Sequence, residues 1–192
     1  MAKNKPNQII ASKYSEYSAF LQSIKHIESP IYVCDEKDNH KSSLYYEKEL
    51  LCDFPFGNSR LNIEVRNADP GNFSAQILSD AIVQQVLFRY DTGGGTHRNN
   101  FDGIPLDKQS VTTPHFHCYN SDGYFMAYKT SEMANEEIES KLEDIDYGFP
   151  LFCEQGHIIN DKTKLVPEIK VGSVDTLPFA HEDYDPNEGI EF

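Results

Sequence analysis

Five residues between positions 89 and 117 are of types that bind metal ions or take part in hydrolysis. His115 and His117 form a His-x-His motif, His97 precedes them, and Arg89 and Asp91 form an Arg-x-Asp motif. Imidazole is a preferred ligand of zinc, which takes four ligands or three ligands and a water. The sequence therefore predicts a zinc site formed by His97, His115 and His117. Asp91 is predicted to be the fourth ligand or the partner that orients an imidazole.

These residues need strands to position them. Residues i and i+2 of a strand point to the same face of a sheet. His115 and His117 should therefore share one face, with Cys118 pointing away from them. By the same rule Arg89 and Asp91 should lie together on one face of a preceding strand.

Each of these features also has a purely structural interpretation. The glycines Gly93-Gly94-Gly95 would let the backbone pass close to an ion, but they would equally make a hairpin turn. Arg89 and Asp91 could form a structural ion pair. Cys153 and His157 are four residues apart and could meet on one side of a helical turn, although packing explains them as well.

Alternating apolar residues predict an antiparallel sheet around the motifs. Three strands with short connections form a meander, and Pro70-Gly71 is expected to make the tight reversal between the first two. A hairpin should follow. The predicted strands of the meander are 61–66, 73–77 and 81–91, and those of the hairpin are 115–119 and 124–128. Further strands are predicted at 31–34, 149–153 and 166–171, and residues 44–51 are expected to form a strand or a short helix, with a strand favoured.

Two helices are predicted to flank the sheet. Apolar residues at steps of three and four from Ile10 to Ile24 indicate an amphipathic helix that Ser29-Pro30 ends. A second helix should run from Thr130 or Ser131 to about Asp146, with four apolar residues facing inward. These inward residues are Ala134, Ile138, Leu142 and Ile145.

The fold class that follows is α+β, with one domain over residues 1–192. It has an antiparallel β-sheet, an N-terminal helix and a C-terminal acidic helix, and residues 54–128 form the motif-bearing sheet core. Residues 1–8 and 181–192 are expected to be flexible.

The composition narrows the classes of function. The net charge is −14, which repels phosphate backbones, so direct binding of nucleic acid is not expected. Such a surface suits a basic groove on a partner protein, although solubility explains it too. No apolar run reaches the ~20 residues that span a bilayer, and no secretory signal is recognised. The four cysteines form no C-x-x-C motif. We therefore expect a cytoplasmic protein of the bacterial host.

The order of the motifs resembles an uncharacterised prokaryotic domain family that is similar in pattern to the TumE-type toxins. The matching segments lie within residues 54–128, and this resemblance implies that Arg89, Asp91, His97, His115 and His117 form one site. One departure is Asn100, where the family pattern has proline. The matching segments are Phe54-Pro55-Phe56-Gly57, Leu87-Phe88-Arg89-Tyr90-Asp91, His97-Arg98-Asn99 and Pro114-His115-Phe116-His117-Cys118-Tyr119.

The first functional hypothesis is an inhibitor from a phage or mobile element. The chain is similar in composition to metal-containing anti-CRISPR inhibitors of Cas9, since it is small, acidic and predicted to bind zinc. In this hypothesis the ion stabilises the sheet and the acidic helix occupies the basic groove of a Cas9-type effector. The predicted partner-binding residues are Glu132, Glu136, Glu137, Glu139, Glu143 and Asp144.

The alternative is a metal-dependent hydrolase, an RNase-like toxin of a toxin–antitoxin system. A zinc-bound water at the three histidines would attack phosphorus. Arg89 would stabilise the developing charge and Asp91 would act as the base. A third possibility is an antitoxin-like or scaffold protein with a structural ion.

Overall fold

The structure is a computed structural model that describes residues 5–37, 40–52, 58–67, 69–101 and 105–172. Its helices are α1 (Gln8–Ser12), α2 (Tyr14–Gln22), α3 (Glu136–Lys141) and α4 (Ile145–Gln155), with 3-10 turns at Leu106–Gln109 and Glu132–Ala134. Its strands are β1 (Lys25–Ile27), β2 (Ile31–Val33), β3 (Asp35–Lys37), β4 (His40–Cys52), β5 (Ser59–Arg66), β6 (Asp69–Ser79), β7 (Val83–Asp91), β8 (His97–Arg98), β9 (Ser110–Val111), β10 (His115–Tyr119), β11 (Phe125–Tyr128), β12 (Ile158–Asn160) and β13 (Ile169–Val171).

One nine-stranded sheet dominates the fold, in the order β11-β10-β7-β6-β5-β4-β1-β12, with β3 also paired to β4. Its pairs are antiparallel except for β1 with β12. The predicted meander is confirmed as β5, β6 and β7, and the predicted hairpin as β10 and β11. Two smaller sheets pair β13 with β2 in parallel and β8 with β9 in antiparallel orientation. The fold class is α+β, as predicted.

Most of the core lies on one face of this sheet. Apolar side chains alternate along the strands, as in β5, where Leu61, Ile63 and Val65 are buried. Helix α4 packs on this face, since Phe152 stacks on Phe88 with ring centroids 5.6 Å apart. A Cβ on Gly148 would lie 3.0 Å from Phe73 Cζ of β6 and 3.0 Å from Tyr90 Cε1 of β7. Glycine at this position therefore allows α4 to approach the sheet closely.

The opposite face carries two rows of polar side chains that cross five strands, and we call it the polar face. Because cross-strand neighbours share a face, the strand register places these residues side by side. The first row is Tyr45, Glu64, Ser74, Asp91 and His115, and the second is Glu47, Asn62, Gln76, Arg89 and His117. The histidine pair thus ends a polar surface that extends back to β4.

A buried lysine joins the C-terminal ends of α2 and α4. Lys25 is fully buried, and its Nζ donates to the carbonyl oxygens of Phe20 at 2.9 Å, Ser23 at 2.9 Å and Gly156 at 3.1 Å. The last carbonyls of a helix lack intrahelical donors. The Lys25 ammonium supplies donors to both helix ends.

The N-terminal half differs from prediction in two places. The predicted helix is divided at Lys13 into α1 and α2 and ends at Gln22, so Ser29-Pro30 does not terminate it. Ile24 is 45% exposed because it lies beyond the helix. Pro70-Gly71 does not make the β-turn, since it falls within β6, where a register shift accommodates it.

The C-terminal half differs more. The predicted helix from residue 130 to 146 is divided into a 3-10 turn, α3 and the start of α4. Asn135 and Asp144 provide the caps in place of Thr130 or Ser131. Ala134 and Ile138, predicted to face inward, are exposed. The predicted strand 149–153 is helical, because Pro150 lies inside α4 rather than ending a helix before it.

Three further predicted strands are confirmed, and three predicted segments lie outside the described residues. The strands predicted at 31–34, 44–51 and 166–171 are confirmed as β2, β4 and β13. The Phe54-Pro55-Phe56-Gly57 segment, residues 1–4 and the tail 181–192 lie outside the described residues. Residues 5–7 precede α1, and the side chain of Asn7 caps this helix by accepting hydrogen bonds from the N–H groups of Ile9 and Ile10.

Candidate metal centre

Strand β10 brings two imidazoles to one point on the polar face. The Nε2 atoms of His115 and His117 lie 2.9 Å apart, and both side chains are buried. Phe116, between them in sequence, points to the core and packs against Tyr90 at 4.7 Å between ring centroids. This arrangement is the one that the i, i+2 rule predicts.

A separate loop delivers the third imidazole. His97 lies on β8, opposite Val111 of β9, and its ring centroid is 4.7 Å from that of His117. One ligand nitrogen from each of His97, His115 and His117 lies within 4.8 Å of the other two. The three histidines are therefore close enough together to hold one metal ion.

Asn99 anchors this loop to the edge strand of the sheet. Its buried side chain accepts a hydrogen bond from Ala127 N at 2.8 Å and donates one to Ala127 O at 3.0 Å. The amide thus pairs with β11 as another strand would. The following residue, Asn100, has a φ of +55°, which proline could not adopt because its ring holds φ near about −65°. The turn after Asn99 therefore requires a residue other than proline at position 100.

Asp91 and Arg89 complete the cluster from β7. The Oδ2 atom of Asp91 lies 3.3 Å from His117 Nε2 and 4.0 Å from His115 Nε2. Its other oxygen accepts a hydrogen bond from Arg89 Nε at 2.7 Å. Among the described residues, the Arg89 side chain has no other partner. Its terminal guanidinium nitrogens are thus free to bind an anion, because only Nε is engaged.

The electrostatics favour neutral imidazoles beside a charged carboxylate. Burial, together with the nearby His117, lowers the pKa of His115 to about 4. Burial and the same neighbour also lower the pKa of His97. For Asp91 burial raises the pKa, but the His117 hydrogen bond and the Arg89 charge outweigh it, so this pKa lies below its ordinary value. Neutral imidazole is the form that binds metals.

The surroundings hold the rings in place. His115 Nδ1 lies 3.2 Å from the carbonyl oxygen of Thr112, a contact typical of metal-binding histidines. The ring of Phe125 stacks on His117 at 5.2 Å and 17°. His117 Nδ1 is buried and finds no hydrogen-bond partner in the described segments. Such an unpaired buried atom is costly unless solvent satisfies it; it is not the nitrogen that faces His115 and Asp91, which is Nε2.

The geometry fits a transition metal. Nitrogen ligands about 2.0–2.1 Å from a tetrahedral zinc lie about 3.3 Å from one another. The His115–His117 separation of 2.9 Å and the Asp91–His117 separation of 3.3 Å are near that value. His97 offers a nitrogen within 4.8 Å of both other imidazoles and would complete the set. Asp91 is placed to be a ligand or to bond a ligand water.

A cavity of about 300 Å³ opens beside the cluster and is lined by all five predicted site residues, by Phe125 and by residues 93–96. Gly94 and Gly95 have φ values of +95° and +80°, and nothing lies within 4 Å of their Cβ positions. The glycines therefore have both of the roles that the sequence allows. They turn the chain, and they leave space next to the histidines. We call this space the histidine cavity.

The other predicted sites lie elsewhere. The six acidic residues do not form one helical face, since they are spread over a 3-10 turn, α3 and the connection to α4. Glu139 pairs with Lys129, and Asp144 caps α4. Cys118 lies on the face away from the histidines and makes its side-chain contact with Tyr128. Cys153 is buried in the core, outside the metal-binding cluster.

Sequence reasoning missed three contributors to the site. Asn99 lies in the His97-Arg98-Asn99 motif, but nothing in the sequence alone indicates its bond to β11. Phe125 could have been found from the hairpin, because the register pairs it with Tyr119 on the histidine face. The polar rows were visible as the residues that alternate with the core positions of β5 and β6.

Comparison with protein-family models, with curated proteins and with solved structures finds no match to this chain. In the described part of the chain, no helix has the length and apolar character that crossing a membrane would require.

Proposed function

We propose that this protein is a zinc-dependent phosphodiesterase with single-stranded RNA as its substrate class. The observation that carries the proposal is the meeting of three imidazoles at the edge of an open cavity. Structural zinc sites are usually closed by four protein ligands, whereas catalytic sites have three and leave a position for water. His97, His115 and His117 would hold the ion and the cavity would admit the substrate.

Each remaining residue of the cluster has a role in hydrolysis. A zinc ion at this position would supply a nucleophile by lowering the pKa of a bound water to about 7. Asp91, which is charged at neutral pH, would accept the proton of the attacking water at Oδ2. As the new bond to phosphorus forms, the P–O bond to one ribose oxygen would break, and that oxygen would take a proton from solvent. The free guanidinium nitrogens of Arg89 would bind the non-bridging phosphate oxygens and stabilise their charge in the transition state.

The choice of a phosphodiester is supported by Arg89 and by the resemblance of the motifs to the TumE-type toxins. The acidic surface slows capture of a polyanion. It therefore favours a substrate strand that enters the cavity over a duplex held along a broad surface.

Cleavage of an end-labelled single-stranded RNA tests the proposal. Zinc-loaded wild-type protein should cleave this RNA. Metal-free protein and the His115→Ala variant should each cleave it at least 100-fold more slowly. His157→Ala is the matched control, because this histidine lies outside the histidine cavity, and it should keep full activity. Zinc-loaded protein that leaves RNA intact would refute the proposal.

Binding to a protein partner is the second candidate, supported by exposed carboxylates near α3. Glu132, Glu136, Glu137, Glu143 and Asp144 are exposed, and a basic groove of a Cas9-type effector would attract them. The test is DNA cleavage by Cas9 and guide RNA with equimolar protein. Unchanged cleavage excludes this partner. Inhibition that survives His115→Ala would separate this function from the metal centre.

A further inference from the structure

A second cavity adjoins the histidine cavity on the polar face. Its volume is about 230 Å³, and it shares Arg89, Asp91, Gly93 and Gly94 with the histidine cavity. The two cavities are therefore neighbours on either side of β7. We call this second space the distal cavity.

The distal cavity extends towards β5, where Arg66 lines it. Arg66 is exposed, and within the described segments it forms no ion pair or hydrogen bond. It lies two strands from Arg89, about 10 Å across the sheet, and four residues further along β5 than Asn62, which is level with Arg89. Two guanidinium groups thus border one small space, and both have donors that are free to bind an anion.

The other walls are suited to a sugar or a base rather than to an apolar ligand. Ser74 and Gln76 form the floor, and the Gln76 amide donates to Ser74 Oγ at 3.2 Å. Asn72 packs so closely on Gly93 that a Cβ there would lie 2.0 Å from Asn72 Oδ1. These hydroxyl and amide groups offer both donors and acceptors.

The local charge distinguishes this cavity from the rest of the molecule. Glu64 and Asp91 are the carboxylates among its lining residues, and Arg66 and Arg89 balance them. Asp91 is already paired with Arg89. On a chain with a net charge of −14, such a neutral lining with an unpaired arginine is a favourable place for a phosphate.

We propose that the distal cavity binds the nucleotide next to the scissile bond, with Arg66 holding its phosphate. This inference rests on the proposed phosphodiesterase function and specifies its substrate. The preferred substrate would be a polynucleotide with at least two consecutive phosphates, not a phosphomonoester or a small diester. The strand would run over β7, from the histidine cavity towards β5.

Two substrates separate this inference from the proposed function. One is a 12-nucleotide single-stranded RNA, and the other is bis(4-nitrophenyl) phosphate, which has a single phosphate and cannot reach Arg66. Arg66→Gln should raise KM for the RNA about tenfold with kcat unchanged, since one charge-assisted contact is lost. The same variant should cleave the small diester at the wild-type rate.

Arg60→Gln is the matched control. Arg60 lies on the same strand and the same face, but it pairs with Glu47 and Asp80 and lies outside the distal cavity. Arg60→Gln removes the same charge as Arg66→Gln and should leave cleavage of the RNA and of the small diester unchanged. If it raises KM as much as Arg66→Gln does, the effect is one of overall charge and the inference is wrong.

A binding measurement keeps the inference testable without catalysis. Fluorescence anisotropy with a labelled RNA that carries phosphorothioate linkages gives Kd as a function of salt. Arg66→Gln should weaken binding about tenfold and reduce the slope of log Kd against log salt by about 0.7. This result without cleavage would support the distal cavity and refute the phosphodiesterase. The opposite result would be cleavage of the small diester together with equal RNA binding by wild type and Arg66→Gln. It would support the phosphodiesterase and refute the role of the distal cavity.

Discussion

His97 offers the most direct test of the metal centre. It is half-buried on a two-residue strand at the edge of the site, so its removal disturbs the core less than removal of His115 or His117. We expect His97→Ala to abolish the stabilisation that zinc confers on the folded protein.

The size of the effect follows from linkage. Zinc at 100 times its Kd stabilises the native state by about 2.7 kcal/mol, provided that it binds only that state. For a chain of this length this corresponds to a rise in Tm of roughly 5–11 °C. If losing one of three imidazoles weakens binding 100-fold or more, the same zinc concentration stabilises the variant by no more than about 0.4 kcal/mol. Its Tm should then rise by less than about 2 °C.

The assay is thermal unfolding with and without zinc, and each variant is compared with its own metal-free form. Arg98→Ala is the control, because this exposed side chain lies next to His97 on the same strand, and it should keep the full rise in Tm. Wild-type protein without a zinc-dependent Tm, or a His97→Ala variant that retains it, would refute the assignment of these imidazoles as ligands.

Three further predictions follow from the same structure. Asn99→Ala should weaken zinc binding about 10–100-fold in a zinc titration, as loss of a supporting contact does, because the amide no longer joins the His97 loop to β11; unchanged affinity would show that the loop holds its position unaided. In the metal-free protein the folded-state pKa of His115, about 4, lies below the unfolded value of about 6.5, so the unfolded state binds the extra proton between these values. Stability should therefore fall by up to about 3 kcal/mol as pH drops from 6.5 to 4, and urea titrations of His115→Gln should show a smaller fall. Lys25→Met should lower the free energy of unfolding by about 2–4 kcal/mol, because carbonyls at two helix ends lose their donor, while zinc affinity stays the same; a loss under 1 kcal/mol would contradict the role given to this ammonium.

Much of the sheet could be predicted because its strands have the simplest periodicity. Leu61, Ile63 and Val65 alternate with polar residues, and burial in β5 follows that alternation without exception up to Val65. The positions of His115 and His117 follow from the same rule. The clustering of the three histidines could also be anticipated, since only five residues separate His97 from the end of β7 and β7 pairs with β10.

The helices were harder to predict because tertiary contacts override local signals. From the sequence alone, Pro150 predicts the end of a helix. It nevertheless lies within α4, where close packing at Gly148 holds the helix on the sheet. Ile138 continues the three–four periodicity but is 41% exposed, since a new cap at Asn135 changes the phase of the helix. The Asn99 bond to β11 and the distal cavity depend on the pairing of distant strands, which no local pattern encodes.

The two polar rows have a consequence for how substitutions act on this protein. Along β7 the core residues Phe88 and Tyr90 alternate with Arg89 and Asp91, so a shift of one residue against its neighbours would bury a guanidinium and a carboxylate and expose two aromatic rings. A chain that pairs its strands wrongly therefore loses its hydrophobic interior and its histidine cluster together. Libraries selected only for thermal stability should accordingly retain the alignment of the chemical groups, even though no selection for chemistry was applied.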